Sequence, residues 1–348
     1  MKTHITVSNK MTPLVRALFA SRTDTTPALS ATPDEGRDAT LTKPLNTKAS
    51  GVLRSACAAL ALIATPFASV SAQESSAPAG VYLAGAERIE IGDRVRMYSQ
   101  RITAMACMID AGVNVDENQA AITQAMAEVD VLLDAMKNGN SDLNVATVEE
   151  DRRMLEAIRG VALQWDIFKD ALELRMNVGS DAIVGPDYVS RQNLNLMHAT
   201  KYLISETVSK YTIPPALLQN DAFTLQIAAR QRTLSQQIAK ETCGILTGNA
   251  VMGSEVRLAK STRRFDASFN ALVNGFESAG VSAPATSEIR EGLTAMSNDW
   301  TTLRAELEQV NENSDPATVG ALYGQLDSLM ARFDTLVPLY VEESKSGL

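Results

Sequence analysis

Histidine is almost missing from this chain, with two in 348 residues, and only His198 lies beyond position 72. There are three cysteines, and no Cys/His spacing suits a metal, so no metal site is expected. No Ser-centred nucleophile motif or Gly-rich phosphate loop occurs. The expectation is therefore a protein that is not an enzyme and carries no cofactor. Aromatics are scarce, at 5%, and strand-like alternation is nowhere sustained, which argues against a sheet. Residues 73–348 hold no apolar run long enough to cross a membrane. The net charge of −9 lacks the cationic excess that attracts nucleic acid or anionic lipid, so neither is an expected partner.

The first 72 residues do not read as part of a fold. Positions 1–50 are rich in Thr, Ser, Pro and Ala without a sustained period, and read as a disordered extension. Arg54 then precedes the stretch Ser55 to Ala68, a short apolar core with Cys57 ahead of it, and the segment ends in Val70-Ser71-Ala72. This order over 51–72 predicts a secretory signal cleaved after Ala72 and a periplasmic protein, with an uncleaved anchor as the other reading. Removing that segment takes away eight Lys/Arg and four Asp/Glu, leaving 24 basic and 37 acidic side chains and a net of −13.

What the chain does contain, it contains twice. Arg94, Arg96, Ser99, Gln100, Ile102 and Cys107 recur as Arg230, Arg232, Ser235, Gln236, Ile238 and Cys243, six identities in fourteen positions at an offset of 136. Average residue usage gives roughly one by chance. Ile91, Val95, Tyr98, Ile102, Met105 and Ile109 step by four and three, the spacing of an apolar helical stripe. Beside it runs a small, polar stripe of Gly92, Arg96, Ser99, Thr103 and Ala106. Its second copy reads Ala228, Arg232, Ser235, Ala239 and Thr242. One face is expected in a core, while the other admits a neighbouring helix and keeps an Arg available.

Three more helices follow in each copy. Asp116 with Gln119 reads as a capping box opening a helix that stops at Asn138-Gly139, and its counterpart stops at Asn274-Gly275. Thr147 with Glu150 is expected to start a third helix carrying Trp165, Phe168 and Leu172, matched by Trp300, Leu303 and Leu307. The fourth spans about 187–211, and its counterpart starts at Asp315-Pro316 and holds Pro338, which should kink it. Met97, Met105, Met108 and Met154 fall within helical apolar patterns and read as packing rather than a copper site.

The fold class expected is all-α, two tandem up-down four-helix bundles over 80–212 and 216–345 that form a pseudo-dimer. The short, proline-stiffened linker 211–216 should make the two motif helices parallel, with Arg96 and Arg232 at similar heights. Arg94 and Arg230 fall on another face and are expected to meet solvent or carboxylates. Cys107 and Cys243 read either as small buried apolar residues or as a disulfide made within reach by the parallel helices.

The stretch Leu225-Gln-Ile-Ala-Ala-Arg-Gln-Arg-Thr-Leu-Ser-Gln-Gln-Ile-Ala-Lys240 resembles the N-terminal domain of type IV pilus methyl-accepting chemotaxis transducers. That family is similar to the periplasmic domain of nitrate/nitrite sensor kinases, and the resemblance covers both copies. In the nitrate sensors an Arg from the first helix of each protomer grips one small oxyanion. The resemblance places that Arg at Arg96 and Arg232, with Ser99 and Ser235 one turn further on as added donors. The alternative keeps the two Arg residues structural, paired with carboxylates such as Asp93. Arg101 becomes Gln237 and Met97 becomes Thr233, so the site is expected to be asymmetric. A nitrate- or nitrite-binding periplasmic sensor that needs a protein partner in the periplasm or inner membrane is one expectation. The other is a ligand-free helical module that docks to a pilus, transporter or sensor.

Overall fold

The computed structural model describes residues 84–178, 186–214, 217–248 and 254–345. The chain divides into Met1–Ser71 and Ala72–Leu348. The extension expected at 1–50 and the signal expected at 51–72 lie outside the described residues. The described residues form eight α-helices and no strand, with two isolated β-bridges between them. Helices α1 (Gly85–Asp110), α2 (Val115–Asn138), α3 (Arg152–Val178) and α4 (Pro186–Tyr211) make one up-down bundle. Helices α5 (Gln219–Leu246), α6 (Ser254–Asn274), α7 (Ser287–Leu307) and α8 (Pro316–Lys345) make the other.

The turns show why the helices stop where they do. Gly139 and Gly275 take φ of 79° and 75°, the left-handed region open to glycine, directly after α2 and α6. Each is followed by the same short loop, a one-turn 3-10 helix closed by the bridge Asn140–Val145 or Phe276–Val281. In the first copy buried Arg88 holds the segment after α2, donating to the Met136 and Thr147 carbonyls at 2.6 Å each. In the second copy Thr224 stands at that position and accepts from the Ser282 N–H at 3.0 Å.

Two helix starts differ from those expected. Helix α2 begins at Val115 after Asn114, which adopts φ 44° and makes no side-chain cap, so Asp116 is a first-turn acid rather than a cap. Helix α3 begins at Arg152, and its cap is Asp151, whose Oδ1 accepts from the Arg153 and Met154 N–H groups. Thr147 and Glu150 precede it without capping it. Thr286, the corresponding cap of α7, accepts from Ile289 N at 3.2 Å.

Each bundle carries an aromatic anchor tied to a carboxylate. Trp165 donates to Asp130 and Trp300 to Asp266, both at 2.6 Å, so the indole N–H of a buried ring is satisfied by the neighbouring helix. The apolar stripe of α1 enters the first core with Trp165, Phe168 and Leu172, whereas Ala86, Ile89 and Ala104 of the same helix join the second core. Helix α1 is thus shared by two cores, and nineteen of its 26 residues are buried. Gly92 allows α4 to approach it closely, because a Cβ there would sit 3.0 Å from the Ile204 side chain.

The two bundles meet along α1 and α5. Gly85 lies near Leu217, Glu90 bonds Arg232, Gln100 bonds Lys240 and Cys107 is joined to Cys243. Numbers rise together on both helices, so the pair is parallel. The bridge has an Sγ–Sγ distance of 2.07 Å and a Cα–Cα distance of 6.1 Å. Tyr323 of α8 packs against both main cores and the small cluster around the disulfide.

At the opposite end of the seam, α4 closes on a buried acid. Tyr211 donates to Glu149 at 2.6 Å, Lys210 also bonds it, and Arg88 lies 3.7 Å away. Burial pushes the Glu149 carboxyl up, but the hydrogen bonds from Lys210 and Tyr211 outweigh it and hold the group below its ordinary 4.5. A depressed carboxylate contributes stability above its unfolded value that is lost as pH falls through the folded value. Melting of the wild-type protein should therefore drop on acidification below pH 4.5 more steeply than that of a Glu149→Gln variant, read by circular dichroism. Cys107→Ser with Cys243→Ser should lower unfolding stability in urea by about 2–5 kcal/mol, because the bridge closes a long loop.

Candidate functional site

The site expected from the repeats sits where α1 and α5 lie side by side. Ala86, Glu90, Asp93, Met97, Gln100, Ala104 and Cys107 follow one another by alternating steps of four and three residues, as in a parallel helix pair. This is a third face of α1, neither of the two stripes read from the sequence. Its middle is polar, so the seam is built in layers of charge, amide and sulfur.

The charged layer holds both repeated arginines. Arg232, 1% exposed, donates to Glu90 of α1 at 3.0 Å and to Asp334 of α8 at 2.9 Å. Burial alone would lower its guanidinium, and the two carboxylates raise it instead. Arg96, 7% exposed, bonds Asp93 one turn back on its own helix. Asp93 is fully buried. Burial pushes its carboxyl up, against the pull of Arg96, Arg232 and Arg230. Both arginines are thus paired with carboxylates, and each keeps one buried nitrogen without a partner, Nε of Arg96 and Nη2 of Arg232.

The flanking groups divide unevenly. Arg94 pairs with Glu128 of α2 and lies 4.0 Å from Glu90. Arg230, half-buried, makes no ion pair among the described residues. Burial and the positive charges of Arg96 and Arg264 lower its guanidinium. The layer therefore sets Arg94, Arg96, Arg230 and Arg232 against Glu90, Asp93, Glu128 and Asp334, with the exposed Arg264 of α6 adding its charge near Arg230.

The serines are placed differently from the donors expected. Ser99 gives its hydroxyl hydrogen to the Arg96 carbonyl at 2.7 Å, and Ser235 gives its own to the Arg232 carbonyl at 2.9 Å. Ser99 instead helps hold the amide layer, accepting from Gln100 at 3.0 Å. Asn193 of α4 donates to the Ser99 carbonyl, and Lys240 donates to both Gln100 and Asn193. In the other bundle Gln236 donates to Asp327 of α8, which also receives a two-pronged bond from Arg101 at 2.9 Å per contact. The exchange of Arg101 for Gln237 is explained by that bond: Arg101 reaches across the seam, while Gln237 turns to Glu241 on its own helix.

Glu90, Asn193, Asp327 and Asp334 were not singled out in the sequence, whereas Asp93 is the carboxylate named there as an arginine partner, and it pairs with Arg96. Glu90 and Asp93 share a face with Cys107, a signal that was available. Asn193, Asp327 and Asp334 come from the fourth helices, where nothing in the motif points to them.

Residues 216–325 match a known family model. The family, PilJ, is described as type IV pili methyl-accepting chemotaxis transducer N-term. The match takes in α5, α6, α7 and the first turns of α8. No curated protein and no solved structure matches the chain. Within the matched residues, Arg232 and Ser235 lie on the first helix, at the seam shared with α1.

Removing Arg232 would leave Glu90 and Asp334 facing each other across a buried position. Arg232→Ala should cost about 2–4 kcal/mol in urea unfolding, reduced from a fully buried pair because Asp334 is partly exposed. Arg94→Ala, at the rim, should cost no more than about 1 kcal/mol in the same measurement.

Proposed function

We propose that the chain is an exported, non-enzymatic input module of a sensory system in the periplasm, and that it receives a small oxyanion of the nitrate or nitrite kind in the charged layer of the α1–α5 seam. The observation that carries the reading is the set of unanswered guanidinium donors there. Arg230 has no ion pair among the described residues, and the buried nitrogens on Arg96 and Arg232 have no partner. Guanidinium groups donate paired hydrogen bonds to flat oxyanions, and several around one position neutralise its charge. Asp93, pushed toward its neutral form by burial, is the carboxylate that gives way at least cost when an anion enters. The PilJ-type match over 216–325 supports the sensor class. The Cys107–Cys243 bridge fits an oxidising compartment. A protein partner in the periplasm or inner membrane would read the change.

A second reading has its own observation. Leu218, Phe223 and Phe276 are 46%, 37% and 55% exposed, and Phe223 lies against Gly280, in the loop that Phe276 opens. Exposed apolar side chains gathered at one pole suit a docking module that needs no ligand. Calorimetric titration of the purified protein with nitrate and nitrite separates the two. Heat of binding is expected, weakened tenfold or more in Arg96→Ala and in Arg230→Ala. A folded protein that gives no heat with either anion leaves the docking reading in its place.

A further inference from the structure

Toward the disulfide, the seam opens into a cavity of about 50 Å³ that touches helices of both bundles. A single water needs roughly 10–15 Å³ by this kind of measure, so there is room for a ligand of a few heavy atoms. Lys240 of α5 is one of its charged lining residues. The ammonium donates to Gln100 at 2.6 Å and to Asn193 at 3.0 Å, both neutral amides, and makes no ion pair among the described residues. A lysine has three N–H groups, so one remains. Charges inside proteins are normally paired, and this one is not.

The other charged groups at the cavity do not cancel it. Arg257 of α6 brings a second positive charge and makes no ion pair among the described residues. Arg175 and Asp110 are bonded to each other at 2.6 Å. Glu241 is 3% exposed, and its Oε2 has no partner. Burial raises the Glu241 carboxyl toward its neutral form, and burial lowers the Lys240 ammonium to about 8. Both shifts follow from burial, which disfavours the charged form of each group. The remaining wall combines Ala106, Val189, Gly244 and the sulfur of Cys107 with the hydroxyl-bearing Thr103, Ser190 and Ser254.

We propose that this cavity binds a short-chain carboxylate, whose oxygens accept from Lys240 and Arg257 and whose alkyl end lies against Ala106, Val189 and Gly244. The site is separate from the arginine layer, and its occupant would touch α1, α4, α5 and α6 together. It does not rest on the oxyanion reading.

Acetate is the probe. Calorimetric titration of sodium acetate into the purified full chain should give one site. Lys240→Gln should weaken it at least tenfold at an unchanged melting temperature, because glutamine can still donate to Gln100 and Asn193 while carrying no charge. Arg257→Gln should weaken it as well, and this variant carries the test if Lys240→Gln does not fold. Arg232→Lys should bind acetate like the wild type. The proposal is overturned by a folded wild-type protein that gives no heat with acetate. It is equally overturned by affinity unchanged in both Lys240→Gln and Arg257→Gln, or by affinity lost in Arg232→Lys alone.

Discussion

Two helices can be buried against each other along a polar face only if most donors and acceptors on that face are answered, and the α1–α5 seam answers most of its own while leaving a few, among them Arg96 Nε and Arg232 Nη2, without a partner. A hydrophobic seam would hold the bundles together with less precision of register. Here the register is set layer by layer. Glu90 must reach Arg232, Gln100 must reach Lys240, and Cys107 must meet Cys243. A slip of one helical turn would leave buried charge unpaired, at several kcal/mol. Both cores then form around a frame whose alignment is already specified, and the shared helix α1 contributes side chains to each.

Because both copies lie on one chain, they are free to differ, and the differences fall where the copies face each other. The fourth helix of the first bundle presents Asn193 to the amide layer, while that of the second presents Asp327. Asp334 compensates Arg232 from α8, whereas Arg96 relies on Asp93 of its own helix. Arg101 crosses the seam to Asp327 and has no counterpart in the second copy. Away from the seam the copies stay alike: the Trp–Asp ties, the glycine stops and the bridged loops recur at nearly the same offset. The unlike residues give the seam two polar sites of different character, an arginine layer crowded with carboxylates and a lysine cavity short of them.

Much of the fold was legible in the residues, because helix period, glycine stops and an exact-offset repeat are local signals. The eight helices, their order, the ends at Asn138 and Asn274 and the aromatic anchors all follow from spacings within one helix or between copies. Two starts were misread, since a capping box is a pattern of residue types. Asp151 could be told from Thr147 only by where the buried Glu149 is pulled by Lys210 and Tyr211.

The site was legible only in outline. Sequence alone determined that Arg96 and Arg232 occupy equivalent positions on helices of the same pattern, and that Cys107 and Cys243 do too. Tertiary structure decided what those positions mean: which carboxylates stand beside each guanidinium, that Ser99 and Ser235 turn to their own backbone, and that Lys240 lines a cavity. The physical reason is range. Periodicity records which side of its own helix a residue faces, whereas charge pairing and burial depend on the side chains that α4, α6 and α8 bring from a hundred residues away.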